Sequence, residues 1–292
     1  MRYFGLLLFL IICQAINAAA NPAVIAYRDN YAVADTDTVV RKNSVSAGVT
    51  YGSDALFFGR TGPIRYPFMS TDIIFNSKSG FFVYGSALKV LGYKPLVDEI
   101  DLGGGYYYRL SKKFTGTISY TRFIFNKEAN IIKSSASNDI NWKNAYDWKY
   151  LKTSITADYL FGKSYDIFTT ISNSKYFESS FNIFNDQDFL SINPSVSLIF
   201  GTQNFVQRYS VDHQYRPEID NIYTQQSENT RRARANAKFN MLNYSFKLPL
   251  AYNMPHYTLE ASWKYSIPVN VEGALKNRRE SFFNFTFYYV FY

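Results

Sequence analysis

The chain has little of several residue types on which common active sites depend. Its 292 residues include one cysteine, two histidines, nine prolines and fifteen glycines. Cys13 is alone, so no disulfide can form within the chain, and its loss with an N-terminal segment would also exclude a catalytic thiol. His213 and His256 are too far apart in sequence to form a local metal motif, and no acidic loop has calcium spacing. The sequence predicts no metal and no cofactor.

Long apolar runs are also missing after the N-terminal segment. Arg2, the apolar run 3–13 and the small residues at 18–20 match a secretory signal peptide, so we expect cleavage near Ala20 and export of the remainder. The run is shorter than the roughly 20 apolar residues that a membrane-spanning helix needs. Cys13 would leave with this peptide.

The charges are scattered rather than clustered. Lysine and arginine number 31 against 23 acids, a net charge of +8, but no basic helix or RNA-binding signature accompanies them. We therefore predict no nucleic-acid partner. Aromatic residues are abundant, with 26 Tyr, 26 Phe and 3 Trp, which argues against a disordered chain.

The dominant pattern is alternation with a period of two residues. In 151–161 the odd positions are mainly apolar, whereas Lys152, Ser154, Thr156 and Asp158 occupy the other face, and 257–267 repeats the pattern. Most such segments approach the ~9–11 residues of a tilted membrane-crossing strand. The pattern predicts twelve strands: 45–51, 68–75, 81–88, 100–110, 114–125, 151–161, 165–173, 190–200, 205–212, 242–250, 257–267 and 282–292.

The predicted connections alternate between short and long. The short ones are 76–80, 111–113, 162–164, 201–204 and 252–256. The long ones are 52–65, 89–99, 126–148, 174–187, 213–236 and 268–280. Short turns at one end and long loops at the other are typical of a closed membrane barrel. Aromatic or large apolar residues such as Phe75, Phe81, Phe161 and Tyr165 bracket the short turns, which predicts an interfacial girdle.

The chain ends in the aromatic segment 282–292, whose apolar phase holds Phe283, Phe285 and Phe287. This ending resembles the C-terminal assembly signal of bacterial outer-membrane β-barrel proteins, and the pattern covers the whole mature chain. The resemblance implies a porin-like, all-β, antiparallel up-and-down barrel over 42–292, with about twelve strands and ten or fourteen as neighbouring counts. It also implies the outer membrane of a Gram-negative bacterium, periplasmic termini and the barrel-assembly machinery as a partner. Residues 21–41 would form a periplasmic tail or an inner plug.

Proline and glycine disturb two of the predicted strands. Pro194 and Pro249 cannot donate a ladder hydrogen bond, so a bulge or a shorter strand is expected at each. The glycines at 103–105 are expected to permit sharp curvature, with large rings from a neighbouring strand covering them. The alternative is that these glycines form a simple loop.

The less apolar phase of the strands predicts a charged lumen. We expect Asp101, Arg109, Lys152, Asp158, Arg208, Glu260 and Lys264 to line it, with Asp72, Asp166, Asp212 and Lys247 on the same face. This near balance of signs predicts weak ion selectivity or internal pairing, or charges that are merely solvated. Tyr107, Tyr288 and either Phe82 or Tyr84 would narrow the path.

Two basic runs map to the predicted extracellular loops. We hypothesise that Arg231, Arg232, Arg234, Lys238, Arg278 and Arg279 contact the phosphates of lipopolysaccharide. The alternative is an ordinary solvated surface.

These features favour a passive channel for small solutes over two other classes. One is a structural or adhesive protein with a blocked lumen, whose loops 126–148 and 213–236 contact partners. The other is a membrane hydrolase that uses Asp212 and His213 near Ser210, although no longer catalytic motif surrounds them. We therefore expect no enzymatic activity.

Overall fold

A computed structural model describes residues 42–62, 64–127, 129, 136–162, 164–204, 239–271, 275 and 277–292. The predicted signal peptide and the tail 21–41 lie outside the described residues. Within these ranges no helix is long and apolar enough to cross a membrane. The strands are β1 (Ser44–Gly52), β2 (Phe68–Asn76), β3 (Phe81–Val90), β4 (Glu99–Arg109), β5 (Phe114–Phe125), β6 (Ala136–Asp147), β7 (Lys152–Gly162), β8 (Tyr165–Ser174), β9 (Phe177–Glu178), β10 (Phe189–Ile192), β11 (Ser195–Gly201), β12 (Asn240–Asn253), β13 (Tyr257–Pro268) and β14 (Glu280–Phe291).

The strands close into one antiparallel barrel. β1 pairs with both β2 and β14, and β11 pairs with β12 to complete the ring. β9 and β10 continue β8 and β11 in the same register, since Phe177 lies opposite Ile192 and Ser174 lies opposite Ser195. The fourteen segments therefore make a closed barrel of twelve strands, which confirms the predicted fold class and strand count.

The two prolines share one gap in the hydrogen-bond ladder. Ile192 pairs with Leu250 and Ser195 with Lys247, so the break between β10 and β11 lies opposite Pro249. β12 runs through Pro249, whereas Pro194 interrupts its strand. The predicted shortening at Pro194 is confirmed, whereas the bulge or shortening expected at Pro249 is wrong, because Pro249 stays in register opposite Ser262 of β13. The gap lets two residues without N–H donors sit in a barrel that has no free edge.

One strand differs from the prediction and changes the assignment of the loops. β6 lies within the segment 126–148, which we expected to be a loop, and the predicted strand 205–212 falls outside the described residues. The outward face of β6 includes Asn138 and Asn144 beside Ile140 and Trp142, so its apolar alternation is weak.

The extra strand reverses the direction of β7, β8 and β11 relative to the prediction, whereas β12, β13 and β14 run as predicted. We call the end with links 77–80, 110–113 and 254–256 the short-turn end, and the opposite end the long-loop end. The brief link from β7 to β8 and the segment 202–204 lie at the long-loop end. The ten-residue connection 179–188 lies at the short-turn end. The predicted strict alternation is therefore wrong, and Phe161 and Tyr165 do not belong to the girdle that holds Phe75 and Phe81.

The outer face of the barrel is apolar. Ile73 is 57%, Phe81 62% and Phe285 56% exposed, while the residues between such positions point inward. A closed sheet satisfies its backbone hydrogen bonds internally, and large apolar side chains on its exterior are solvated by lipid rather than by water. These strands therefore form a transmembrane barrel. The exposure of Phe283 and Phe287 places the apolar phase of β14 on this lipid face.

Two of the three glycines of β4, Gly103 and Gly105, are covered by rings of β3, as predicted. A Cβ at Gly103 would lie 2.6 Å from the Tyr84 ring, and a Cβ at Gly105 would lie 2.7 Å from the Phe82 ring. Both glycines pair within the β3–β4–β5 ladder, so the alternative of a simple loop is wrong. The missing side chains let the two rings lie flat against the inner wall.

The connection 179–188 is organised by one carboxylate. Asp188 accepts hydrogen bonds from the N–H groups of Ile183 and Phe184 at 2.6 and 2.7 Å, and from the Tyr252 hydroxyl at 2.9 Å. Burial alone would raise the pKa of Asp188, but these donors favour the carboxylate and hold its pKa below the ordinary value.

Candidate functional site

The lumen is wide enough to hold more than its own side chains. Twelve strands about 4.8 Å apart and tilted by about 40° give a backbone radius of roughly 12 Å. Barrels of about eight strands are filled by side chains or hold one small ligand, whereas barrels of about sixteen strands enclose an aqueous channel. What occupies this lumen therefore decides what the protein can do.

The structure describes six of the seven predicted lumen residues. Asp101 and Arg109 lie on the inward face of β4, Lys152 and Asp158 on that of β7, and Glu260 and Lys264 on that of β13. The seventh, Arg208, lies outside the described residues together with Asp212.

Of the other predicted inward charges, Asp72 lies on the inward face of β2, and Lys247 and Asp166 have local partners. Lys247 Nζ lies 3.4 Å from Glu260 Oε1 on the neighbouring strand. Asp166 is fully buried and accepts hydrogen bonds from the Thr202 hydroxyl and the Asn204 N–H, both at 2.8 Å. Asp166 therefore anchors the segment after β11, and Lys247 and Glu260 form a partly exposed pair.

The ring order places opposite charges on opposite walls. β12 and β13 lie six strands from β4 and β5, which is diametrically opposite in a ring of twelve. Towards the long-loop end Asp101 faces the wall of Lys264, and at the short-turn end Arg109 faces the wall of Glu260. Charges of opposite sign across a lumen create a transverse electric field.

Sequence reasoning missed the charges that β6 contributes. Asp139 and Lys143 lie on its inward face, because Ile140 and Trp142 are exposed on the other face. Lys143 and Arg109 are near enough to Lys152 to repel its charge. The alternation of Asp139, Asn141 and Lys143 with Ile140 and Trp142 was the available signal.

A loop crosses the lumen at the long-loop end. The Phe58 ring in segment 53–67 stacks on the Phe168 ring of β8, with centroids 3.7 Å apart and an interplanar angle of 7°. β8 is five strands from β1, so this loop spans the mouth. Phe57 and Phe58 pack there against an apolar cluster formed by Ala136, Leu160, Phe168, Ile199, Leu242 and Leu275.

A tight turn shapes the tip of this loop. Phe57 and Arg60 exchange backbone hydrogen bonds at 3.0 and 2.9 Å, and Phe58 and Gly59 have φ values of 46° and 77°. Two successive positive φ angles are typical of a type I′ turn, which favours glycine. The turn presents Phe58 to the far wall.

Arg60 ties the loop to two other loops. Its guanidinium is fully buried, and Nη2 donates to Gln203 Oε1 at 3.0 Å, Val269 O at 2.7 Å and Asn270 O at 3.2 Å. Gln203 Nε2 also donates to Asn270 O at 2.9 Å. The crossing loop is therefore fastened to the segments that follow β11 and β13. We expected 52–65 to be a long loop, and nothing in its residue pattern indicated that it would enter the lumen.

The base of the same loop is held on the near wall. The Tyr66 N–H donates to Asp54 Oδ1 at 2.8 Å, and the Tyr66 ring packs with Val90 and Ala129. Burial raises the pKa of Asp54, and the Tyr66 N–H works against that shift. Both ends of the loop are thus fixed to the barrel.

The predicted lipopolysaccharide contacts are described only in part. Arg278 is exposed, and its Nε lies 3.5 Å from Glu280 Oε1, which Arg65 also approaches at 3.5 Å. Arg279 is exposed. Arg231, Arg232, Arg234 and Lys238 lie outside the described residues.

Sequence reasoning missed one outward-facing arginine. Arg122 lies on the lipid face of β5 near the long-loop end, and donates to Ser137 Oγ and Asn138 Oδ1, both at 2.9 Å.

No catalytic or metal centre emerges from the described part of the chain. Ser210 and His213, on which the hydrolase alternative depends, lie outside it. Within the described residues no three His, Cys, Asp or Glu side chains converge as a metal ion would require.

Comparisons with known proteins find likeness in structure only. No family model matches the chain, and no curated protein matches it. The KdgM porin aligns with a TM-score of 0.48 and 8% identity, over 85% of this chain and 99% of the porin. An outer-membrane channel from Pseudomonas putida F1 aligns with a TM-score of 0.41 and 10% identity, over 94% and 100%. LpxR from Salmonella typhimurium aligns with a TM-score of 0.41 and 9% identity, over 84% and 99%. At these values the function has to be argued from this chain's own residues.

Proposed function

We propose that the protein is a passive channel for small polar solutes in the outer membrane of a Gram-negative bacterium. The main observation in support of this proposal is the polar inner wall between the crossing loop and the short-turn end. Thr156, Thr170 and Ser172 face inward on β7 and β8 and remain partly accessible, while apolar packing is concentrated at the long-loop end. A wet, hydroxyl-lined wall supports diffusion, because it replaces part of the hydration of a polar solute.

The crossing loop is the entry constriction in this proposal. With the long-loop end extracellular and both termini periplasmic, a solute first passes Phe58 and Arg60. It then meets the transverse field between the walls of Asp101 and Lys264, which orients dipolar solutes. No covalent step is required, and movement follows the concentration gradient.

The experiment is single-channel recording of the refolded, full-length protein in planar bilayers. We expect discrete conductance steps in potassium chloride, and permeation of small sugars in liposome swelling. Retarded migration of unheated protein on gels serves as the folding control. A folded barrel without conductance steps would contradict the channel.

A structural role with a blocked lumen is the second candidate, and the crossing loop favours it. In that case the loop would seal the mouth, and the protein would act through surface contacts. Conductance of the wild type discriminates the two roles: a channel conducts with the loop in place, whereas a barrel that the loop seals conducts only after the loop has been released, as in Arg60→Ala.

Contacts with lipopolysaccharide and with the assembly machinery complete the proposal. Arg279 is exposed beside the long-loop end, and Arg122 faces lipid near the same end, where arginine forks suit phosphate. Double substitution of Arg122 and Arg279 by Gln should reduce the lipopolysaccharide that co-purifies, and unchanged co-purification would contradict these contacts.

Removal of Phe291 and Tyr292 should slow membrane insertion if the last strand is the assembly signal.

A further inference from the structure

Two carboxylates lie buried side by side on the inner wall. Asp139 is 7% and Asp158 8% exposed, on the adjacent strands β6 and β7. Asp139 pairs with Leu160, and Asn141 pairs with Asp158, so the two carboxylates are diagonal neighbours on one face. Diagonal positions of an antiparallel pair are about 7–8 Å apart, within reach of one bound group.

No positive charge within the described residues neutralises this pair. Asn141 Nδ2 donates to Asp158 Oδ1 at 2.6 Å, whereas Asp139 Oδ1 has no hydrogen-bond partner. No described Lys or Arg lies within 4.0 Å of either carboxylate. A buried carboxylate without a partner is costly, so this wall favours a cation.

The surroundings of Asp139 are rich in oxygen. Thr121 lies directly opposite Asp139 on β5, and its hydroxyl is hydrogen-bonded to the Tyr84 hydroxyl. Beyond Tyr84 lies Asp101, whose Oδ1 also has no hydrogen-bond partner. The Asp139 carboxylate and the adjacent Thr121 hydroxyl can both accept N–H hydrogen bonds from a ligand. Within the described residues they do not form the compact set of three acidic or histidine ligands that a metal ion requires.

An apolar surface adjoins the carboxylates. Leu160, which pairs with Asp139, is fully buried in the cluster against which Phe57 and Phe58 pack. A ligand on Asp139 would therefore extend along aliphatic and aromatic side chains under the crossing loop. This combination suits an ammonium group attached to a short alkyl chain.

We propose that Asp139 and Asp158 form a binding site for alkylammonium solutes, such as aliphatic amines and amino acids with basic side chains. The proposal rests on the channel function and specifies its substrate class. The ammonium group sits between the two carboxylates, and the alkyl chain packs against the Leu160 and Phe58 side of the lumen.

Isothermal titration of the folded, detergent-solubilised barrel with cadaverine at neutral pH tests the site. We expect saturable binding by the wild type and at least tenfold weaker binding by Asp139→Asn and by Asp158→Asn. The matched control is Asp147→Asn, which removes an inward carboxylate at the other end of β6 and should bind like the wild type. Two substitutions are used so that one remains if the other fails to fold.

Equal binding by both site variants and the wild type would overturn the site, as would displacement of cadaverine by sodium chloride to the same extent in all variants. Because titration needs no conductance, the two proposals fail separately. Binding without conductance overturns the channel and leaves the site, whereas conductance without binding overturns the site alone. In a conducting barrel, added cadaverine should block current through the wild type and not through Asp139→Asn.

Discussion

Removal of the Arg60 guanidinium should release the loop that crosses the mouth of the barrel. The buried Nη2 group donates to Gln203 Oε1, Val269 O and Asn270 O at 2.7–3.2 Å. An amino group has two hydrogens, so two of these contacts act as full hydrogen bonds. Each charge-assisted hydrogen bond contributes about 1.5–3 kcal/mol net.

Arg60→Ala should therefore weaken the closed arrangement by about 3–6 kcal/mol, because two such bonds are lost and their acceptor oxygens stay buried. At about 1.4 kcal/mol for each tenfold change, the population of released loops rises roughly a hundred- to ten-thousand-fold. Phe58→Ala should act in the same direction, because it removes the ring that stacks on Phe168. Arg60→Lys should be intermediate, because an ammonium lacks the planar fork of a guanidinium.

Single-channel recording checks this prediction, with proteolysis of intact proteoliposomes as a second measurement. Arg60→Ala should show larger mean conductance, more frequent transitions and faster cleavage within 53–67. The matched control is Arg279→Ala, which removes an exposed arginine at the same end. Equal conductance and equal cleavage in Arg60→Ala and wild type would refute the role of Arg60 as the fastening of the loop.

Three further predictions test the walls and the short-turn end. Gly105→Ala should prevent or strongly destabilise folding, because the new Cβ would lie 2.3 Å from a backbone oxygen. The loss of folding would be seen as lost heat-modifiability on gels. The control is Gly85→Ala, whose Cβ would have its nearest neighbour at 3.4 Å and which should fold normally. The pKa of Asp188 in the folded protein lies below its ordinary value of 3.8, so the carboxylate stabilises the connection 179–188 at pH values above 3.8. This stabilisation is lost as the pH falls through the lower pKa of the folded protein. Proteolysis of this connection should therefore increase at acidic pH in the wild type, and Asp188→Asn should be cleaved rapidly already at pH near 7; equal pH profiles would contradict this. In membranes, a hydrophilic maleimide should label Thr170→Cys and spare Ile73→Cys, and the reverse result would invert the assignment of the two faces.

Sequence alone predicts those strands whose outward face contacts lipid and whose inward face contacts water. β13 covers Tyr257–Pro268, against a prediction of 257–267, because its outward residues are apolar and its inward residues are polar along its whole length. β14 is predicted because the exposed Phe283, Phe285 and Phe287 alternate with Asn284 and Thr286. β6 escapes prediction because Asn138 and Asn144 interrupt its lipid face, and its pairing with β5 and β7 supplies what its own pattern lacks.

The amino-acid pattern by itself determined that the chain is a membrane barrel, since lipid outside and water inside impose alternation on each strand separately. It also identified the glycines that rings cover and the proline that breaks a strand, because both effects arise from the backbone of the residue itself. The tertiary structure decided how the mouth is closed and where the carboxylates of β6 and β7 meet. Phe58 reaches Phe168 across the lumen, and Arg60 reaches Val269 at the end of β13. Contacts between residues so distant in sequence depend on ring closure, and no local periodicity encodes them.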